Sequence, residues 1–244
     1  MGLVYAPPER GIVTLTLDNP ANRNALSAGL LRGVAEALED CGKDPDVRAV
    51  VLTHTGSTFC SGADLREPPD PAVFVGLLRQ IVELPKPVVA RVDGHVRAGG
   101  LGLLGVCDLA VAGPGASFAL TEVRIGVAPA VISMPLLARL DPSAASRYFL
   151  TGERFGGAEA ARIGLVTAAG DDVDAELAPL LERLRKGAPQ ALAETKKLLT
   201  ARVLDAFDHH TDSLIALSAR LFASAEAREG MGAFLDRREC PWVL

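Results

Sequence analysis

Between Ile12 and Leu17 apolar residues alternate with threonine, which predicts a strand, and Asp18-Asn19-Pro20 closes it in a turn. The period then lengthens. Leu26, Leu30, Val34, Leu38 and Cys41 recur at steps of three and four, the stripe of an amphipathic helix, with Ser27 as candidate N-cap and Asp44-Pro45-Asp46 as its stop. Residues 48–53 form a β-branched run that reads as a buried strand. The alternation continues with a helical pattern over 71–84, an apolar strand over 87–92 ended by Gly94, a small apolar segment over 99–106 that suits a buried helix, and a strand over 108–112. Strands alternating with helices predict crossover connections and a mixed α/β core.

After about residue 128 the texture changes. Short helical patterns occupy 129–139, 142–150 and 158–163, and a small strand occupies 165–169. Longer helical patterns follow over 173–186, 189–204, 207–222 and 225–238. Gly187-Ala188-Pro189 is the best hinge, so the chain divides into an α/β core over 1–187 and a helical region over 188–244. His209-His210 falls at the expected exposed start of a helix.

Composition narrows the class. The 244 residues are 49% hydrophobic and 23% charged, which is ordinary globular usage; aromatics are only 5%, so Leu, Val and Ala must fill the core. A formal net charge of -5 argues against a nucleic-acid partner, which wants a basic field. Residues 1–20 show no apolar signal-peptide segment, and no run is long and apolar enough to span a membrane. Cys41, Cys60, Cys107 and Cys240 lack metal-ligand spacing and read as reduced thiols, which suits the cytoplasm; no metal site is expected.

Three segments are candidates for chemistry. In Phe59-Cys60-Ser61-Gly62-Ala63-Asp64-Leu65, Gly62 allows close backbone approach, Ala63 offers an almost unshielded N–H, and Asp64 is placed to cap a following helix. In Asp93-Gly94-His95-Val96-Arg97-Ala98-Gly99-Gly100, a Gly-rich stretch opens an apolar helix, where free N–H groups and the helix dipole favour negative charge. In Phe118-Ala119-Leu120-Thr121-Glu122-Val123-Arg124-Ile125-Gly126, Glu122 has apolar company that would raise its pKa towards neutrality. Each segment alone also suits a plain turn, close helix packing or a solvated glutamate. Gly100-Leu101-Gly102-Leu103-Leu104-Gly105 satisfies the dinucleotide-binding GxGxxG pattern, but seven residues separate it from the strand ending at Val92 and no βαβ unit surrounds it. No GxSxG nucleophile exists, and Cys60 has no basic partner in sequence.

Taken in order, FCSGADL, PKPVVARVDGHVRAGG, CDLAVA and FALTEVRIGVAP, with NRNALS before them and LTGERFGGAEAARIGLV and EGMGAFLDRRECPW after, resemble the enoyl-CoA hydratase/isomerase (crotonase) family over almost the whole chain. The resemblance implies an α/β ClpP/crotonase-like spiral of ββα units, with C-terminal helices that assemble trimers or dimers of trimers. It implies acyl-CoA thioester substrates and no separate cofactor, since coenzyme A is part of the substrate. Ala63 and Gly99 match the two backbone donors of an oxyanion hole, and Gly100 follows in the same turn. Arg23, Ala25 and the stretch Ala63, Asp64, Leu65, Arg66 match CoA-binding positions, as do Phe234 and Arg237 near the C-terminal end. Glu122 matches one of two glutamates common in hydratases; the other aligns with Gly102, which cannot transfer a proton. EVRIGVAPAVISMPLLARL and SRYFLTGERF resemble the methylglutaconyl-CoA or carboxygeranoyl-CoA hydratase branch. The resemblance therefore implies an enoyl-CoA hydratase, with a single-glutamate isomerase and a non-catalytic acyl-CoA binder as alternatives. It assigns nothing to His95 or Arg97.

Overall fold

Strand β2 (Ile12–Leu17) pairs in parallel with β3 (Ala49–His54), and β3 pairs in parallel with β5 (Val88–Val92), because a helix lies between each pair and returns the chain to the same edge. These helices are α1 (Ala28–Lys43), whose N-cap Ser27 accepts the Leu30 N–H as expected, and α2 (Pro71–Glu83), capped by Asp70. β7 (Leu109–Ala112) and β10 (Ala168–Ala169) extend the sheet in parallel, and β1 (Leu3–Glu9) adds an antiparallel edge, giving the order β1-β2-β3-β5-β7-β10. The structure, a computed structural model, describes residues 2–244.

The central strands β3, β5 and β7 are buried on both faces, which explains why they read as continuous apolar runs. Val50, Leu52, Val88 and Ala90 face the main core with α1 and α2. Ala49, Val51, Val89 and Val111 face the other way, where α7 (Val173–Arg185) covers them with Val173 and Leu177.

Beyond β3, β5 and β7 the chain turns into a short strand. β4 (Thr58–Cys60), β6 (His95–Arg97) and β8 (Ser117–Ala119) run parallel in a second sheet, closed by antiparallel β9 (Phe155–Gly156). The unit β3-β4-α2 thus repeats as β5-β6-α3, with α3 at Gly99–Gly105. This is the expected ββα progression. The second sheet was not legible as strands, since three-residue segments carry too little period.

The remaining helices are α4 (Ser133–Arg139), α5 (Pro142–Thr151), α6 (Gly157–Arg162), α8 (Pro189–Phe222) and α9 (Ala225–Asp236). Three expectations need correction. The patterns at 189–204 and 207–222 are one helix, because Asp205 and Ala206 carry no breaker and Phe207 is buried in mid-helix. His209 and His210 therefore lie inside α8 and not at a helix start. Asp64 caps no helix; its carboxylate accepts the Arg66 N–H at 3.0 Å and the Asn22 side-chain amide at 2.9 Å, and it stays below its ordinary pKa for that reason. No helix among the described residues is long and apolar enough to cross a membrane.

Candidate active site

Two loops and one buried carboxyl group make the site. The first loop runs from Asn19 into α1. Asn24 is fully buried with a left-handed φ of 50°; its amide donates to Thr58 O at 2.7 Å and its Oδ1 accepts the Asn19 N–H at 2.7 Å. These bonds fasten the loop against β4. Ser61 N–H then donates to Arg23 O, Leu26 N–H to Gly62 O and Asp64 N–H to Leu26 O, which forms a short parallel bridge between Leu26 and Ala63. The Gly62 N–H turns instead to Cys60 Sγ at 3.5 Å. Among the described residues, the Ala63 N–H itself meets no acceptor.

The second loop precedes α3. Ala98 takes φ 47° and ψ -122°, an unusual conformation for a residue with a side chain, and is held there by its N–H donating to Ala119 O at 3.3 Å. Gly99 is the first residue of α3, and its N–H likewise meets no acceptor among the described residues. The two loops touch. A Cβ placed on Gly62 would lie 2.8 Å from Ala98 Cβ and 3.3 Å from Gly99 N. Gly62 also has φ 93°, so a side chain there is excluded by space and by backbone alike. Two unpartnered amides thus come from loops in van der Waals contact.

The carboxyl group follows from the same ladder. β8 pairs Ala119 with Arg97, and three residues later Glu122 opens a single helical turn, Glu122–Ile125. Extended chain covers at most about 3.6 Å per residue, so Glu122 is tethered within about 11 Å of Ala119, the residue whose carbonyl holds the Ala98 amide. Glu122 is 8% exposed, and its Oε2 is buried without a hydrogen-bond partner. Desolvation pushes its pKa up to about 7. Where free amide donors hold a carbonyl oxygen, a carboxyl group near neutrality within reach can take or give a proton next to that carbonyl.

The other sequence candidates divide. Ala25 is buried under the first loop, Leu65 is half-buried, and Arg23 and Arg66 are exposed at the loop surface. Gly100 is buried, with no room for a Cβ, which would lie 2.7 Å from Cys60 O. Phe234 is 53% exposed and Arg237 caps α9 with a left-handed φ of 58°. Helix α9 lies on the Glu122 turn: a Cβ on Gly230 would sit 2.5 Å from Ile125 C. Arg97 donates to Val96 O, Ser117 O and Ser117 Oγ, and burial together with nearby Arg154 lowers its guanidinium to about 10. His95 is exposed and bonds the same Ser117 hydroxyl at 2.8 Å.

Leu26 and Phe74 went unnoticed as site candidates, whereas Ile132 falls in the stretch 127–136 that the sequence offers as shaping the acyl pocket. Leu26, Phe74 and Ile132 close around α3. A Cβ on Gly99 would lie 2.9 Å from Leu26 Cδ1, and one on Gly102 would lie 2.5 Å from Ile132 Cγ2 and 3.4 Å from Phe74 Cζ. Phe74 reads as an ordinary apolar helix position, and nothing in the sequence around Gly102 shows that Ile132 sits against it.

The fold is a spiral of ββα units that carries free amides on two touching loops and a desolvated carboxyl group on the segment that follows β8. The chain belongs to the enoyl-CoA hydratase/isomerase family, whose model matches residues 8–243. It is 34% identical to a putative enoyl-CoA hydratase of Thermus thermophilus, over 94% of this chain and 97% of that protein. It is 31% identical to a carnitinyl-CoA dehydratase of Salmonella heidelberg, over 95% and 94%. A crystal structure of a putative enoyl-CoA hydratase from Mycobacterium avium paratuberculosis K-10 is 50% identical, superposes with a TM-score of 0.95, and covers 99% of each chain.

Proposed function

We propose that this protein is an enoyl-CoA hydratase that adds water across the double bond of a 2-enoyl-CoA. The observation that carries the reading is Glu122: buried, lacking a partner for Oε2, and held near neutral pKa on the segment that supports the Ala98-Gly99 loop. In this reading the thioester oxygen sits between the N–H groups of Ala63 and Gly99. Ionised Glu122 takes a proton from water, the hydroxide oxygen bonds C3, and the C2–C3 π electrons move towards the thioester oxygen as an enolate. Protonated Glu122 then returns its proton to C2. The sum is one water added, and the carboxylate is restored. Each such amide donor is worth on the order of 3 kcal/mol to the charged intermediate.

The exposed cations Arg23 and Arg66 stand at the mouth of the two loops and suit the phosphates of coenzyme A, with Ala25, Asp64, Leu65 and Gly100 shaping the backbone around them. Phe234 and Arg237 serve the same ligand from α9. Coenzyme A arrives as part of the substrate, so the scheme needs no resident cofactor. We assign assembly to the helical region, where Leu198 and Leu199 on α8 are 80% and 76% exposed, and a trimer or dimer of trimers would cover them. Unpaired thiols at Cys41, Cys60 and Cys107 suit a cytoplasmic enzyme.

One observation favours a second reading. Gly102 supplies no second carboxylate, and a single Glu122 suffices to carry a proton between C2 and C4, which is isomerase chemistry. Product mass separates the two, because hydration adds one water and isomerisation adds nothing. In either case Glu122→Gln is expected to lower turnover by about 10²–10⁴-fold while acyl-CoA affinity stays within about threefold, measured by steady-state rates and calorimetry. Retained turnover in that variant would remove Glu122 from the chemistry.

A further inference from the structure

The space against α3 is filled by hydrocarbon. Leu26 approaches Gly99, Phe74 approaches both Gly99 and Gly102, and Ile132 lies directly on Gly102. Phe74 comes from α2, while Ile132 is the residue before α4, so one wall is built from two separate parts of the chain. Glycine at 102 is what admits Ile132: any Cβ there would have Ile132 Cγ2 at 2.5 Å and Ile132 Cβ at 3.1 Å. Both wall residues are buried, Phe74 to 7% exposure and Ile132 to 3%.

The cations of this region are engaged elsewhere. Arg97 is tied to Ser117 and Val96 O. Arg139 donates to Cys107 O at 2.7 Å and to Gly164 O at 3.1 Å. Arg124, on the Glu122 turn, is exposed and donates to Thr151 O at 3.4 Å, and the exposed Arg23 and Arg66 are assigned above to the coenzyme A phosphates. No cation is among the atoms nearest Gly99 and Gly102, and ionised Glu122 carries the same sign as a substrate carboxylate.

We propose that Phe74 and Ile132 form the acyl-side wall of the site and restrict it to uncharged hydrocarbon acyl groups, excluding acyl chains that end in a carboxylate. The argument rests on the reading that a thioester is held at Ala63 and Gly99. An acyl group so anchored runs its first carbons past whatever lines Gly99 and Gly102, and that lining is Leu26, Phe74 and Ile132. A terminal carboxylate would enter hydrocarbon without a cation and close to Glu122, which is strongly unfavourable. This departs from the dicarboxylic substrates that the sequence resemblance brings forward.

The test compares crotonyl-CoA, 2-octenoyl-CoA and glutaconyl-CoA as substrates of the full-length protein, with butyryl-CoA and glutaryl-CoA as non-reacting ligands in calorimetry. The wild type is expected to favour crotonyl-CoA over glutaconyl-CoA by at least about 30-fold in kcat/KM, and butyryl-CoA over glutaryl-CoA by a similar ratio in Kd. Ile132→Ala and Phe74→Leu are expected to move the octenoyl-to-crotonyl ratio by about tenfold, chiefly through KM, whereas a merely structural role would scale both substrates together. Ile132→Val supplies a milder variant should Ile132→Ala fold poorly. Equal use of glutaconyl-CoA and crotonyl-CoA overturns the charge restriction, and an unchanged chain-length ratio in every variant overturns the wall assignment. Failure of the wild type to bind any of these esters overturns the thioester reading itself, an outcome distinct from the other two.

Discussion

Glu122 stores a measurable stability cost. Its folded pKa is about 7, against 4.5 for an ordinary glutamate, and burial is the first cause. Below 4.5 the carboxyl group is protonated in both folded and unfolded chains and costs nothing. Between 4.5 and 7 the unfolded chain releases the proton while the folded one keeps it, so stability falls as pH rises, and the full loss is present above 7. The size is on the order of 3 kcal/mol. Glu122→Gln is therefore expected to stabilise the protein at pH 8 by up to that amount and to leave stability at pH 4 nearly unchanged, as read by chemical denaturation at both values. Equal effects at the two pH values would mean that Glu122 is not desolvated. The sequence offered this residue through its apolar neighbours, which alone also suit a solvated glutamate, and through the family resemblance. It could not show the orphaned Oε2, which depends on residues distant in the chain.

At the level of elements, legibility followed the length of the periodic signal. Helices α1 and α2 were readable from their stripes, and β3 and β5 from apolar runs buried on both faces. β1 was not, since Pro7 and Pro8 argue against a central strand; they are tolerated because β1 is an edge. The short strands of the second sheet are specified by pairing partners and not by their own residues. A contact that no local pattern announces also governs α9, where Gly230 meets the backbone of Ile125 and Glu226 lies against Gly126. Gly230→Ala would improve helix propensity by about 1 kcal/mol, yet the new Cβ cannot be accommodated without moving α9. The expected net effect is a destabilisation of about 1–3 kcal/mol with a fall in turnover, measured by thermal melts and initial rates. A more stable, fully active variant would show that α9 does not support the Glu122 turn.

Across the whole molecule, one buried ion pair anchors α8 to the α/β core. Lys196 is 4% exposed; its ammonium lies 2.8 Å from Asp108 Oδ2 and donates to Ile81 O at 2.8 Å and Lys86 O at 3.1 Å. Asp108 also accepts the Val88 N–H at 2.7 Å, so the end of α2 and the starts of β5 and β7 converge on one amine. Desolvation still outweighs the lysine and holds the Asp108 carboxyl above its ordinary pKa. Removing one partner strands the other, which typically costs about 3–5 kcal/mol, whereas neutralising both is much cheaper. Lys196→Met is expected to show that loss in denaturant titrations, and Lys196→Met/Asp108→Asn to recover much of it; a single variant within about 1 kcal/mol of wild type would refute the anchoring role. The sequence showed Lys196 only as one lysine in a helical pattern, because burial of a charge is decided by the fold and not by its neighbours in the chain.

The seating of α9 on the Glu122 turn also has a consequence in time. During synthesis the turn emerges from the ribosome well before α9 does, so for that interval Glu122 lacks the cover that α9 gives its turn in the finished molecule. That turn is therefore fully packed only once α9 has docked on it. Clipping or crowding of α9 by a protease or a fused tag would strip that packing from the turn after synthesis as well.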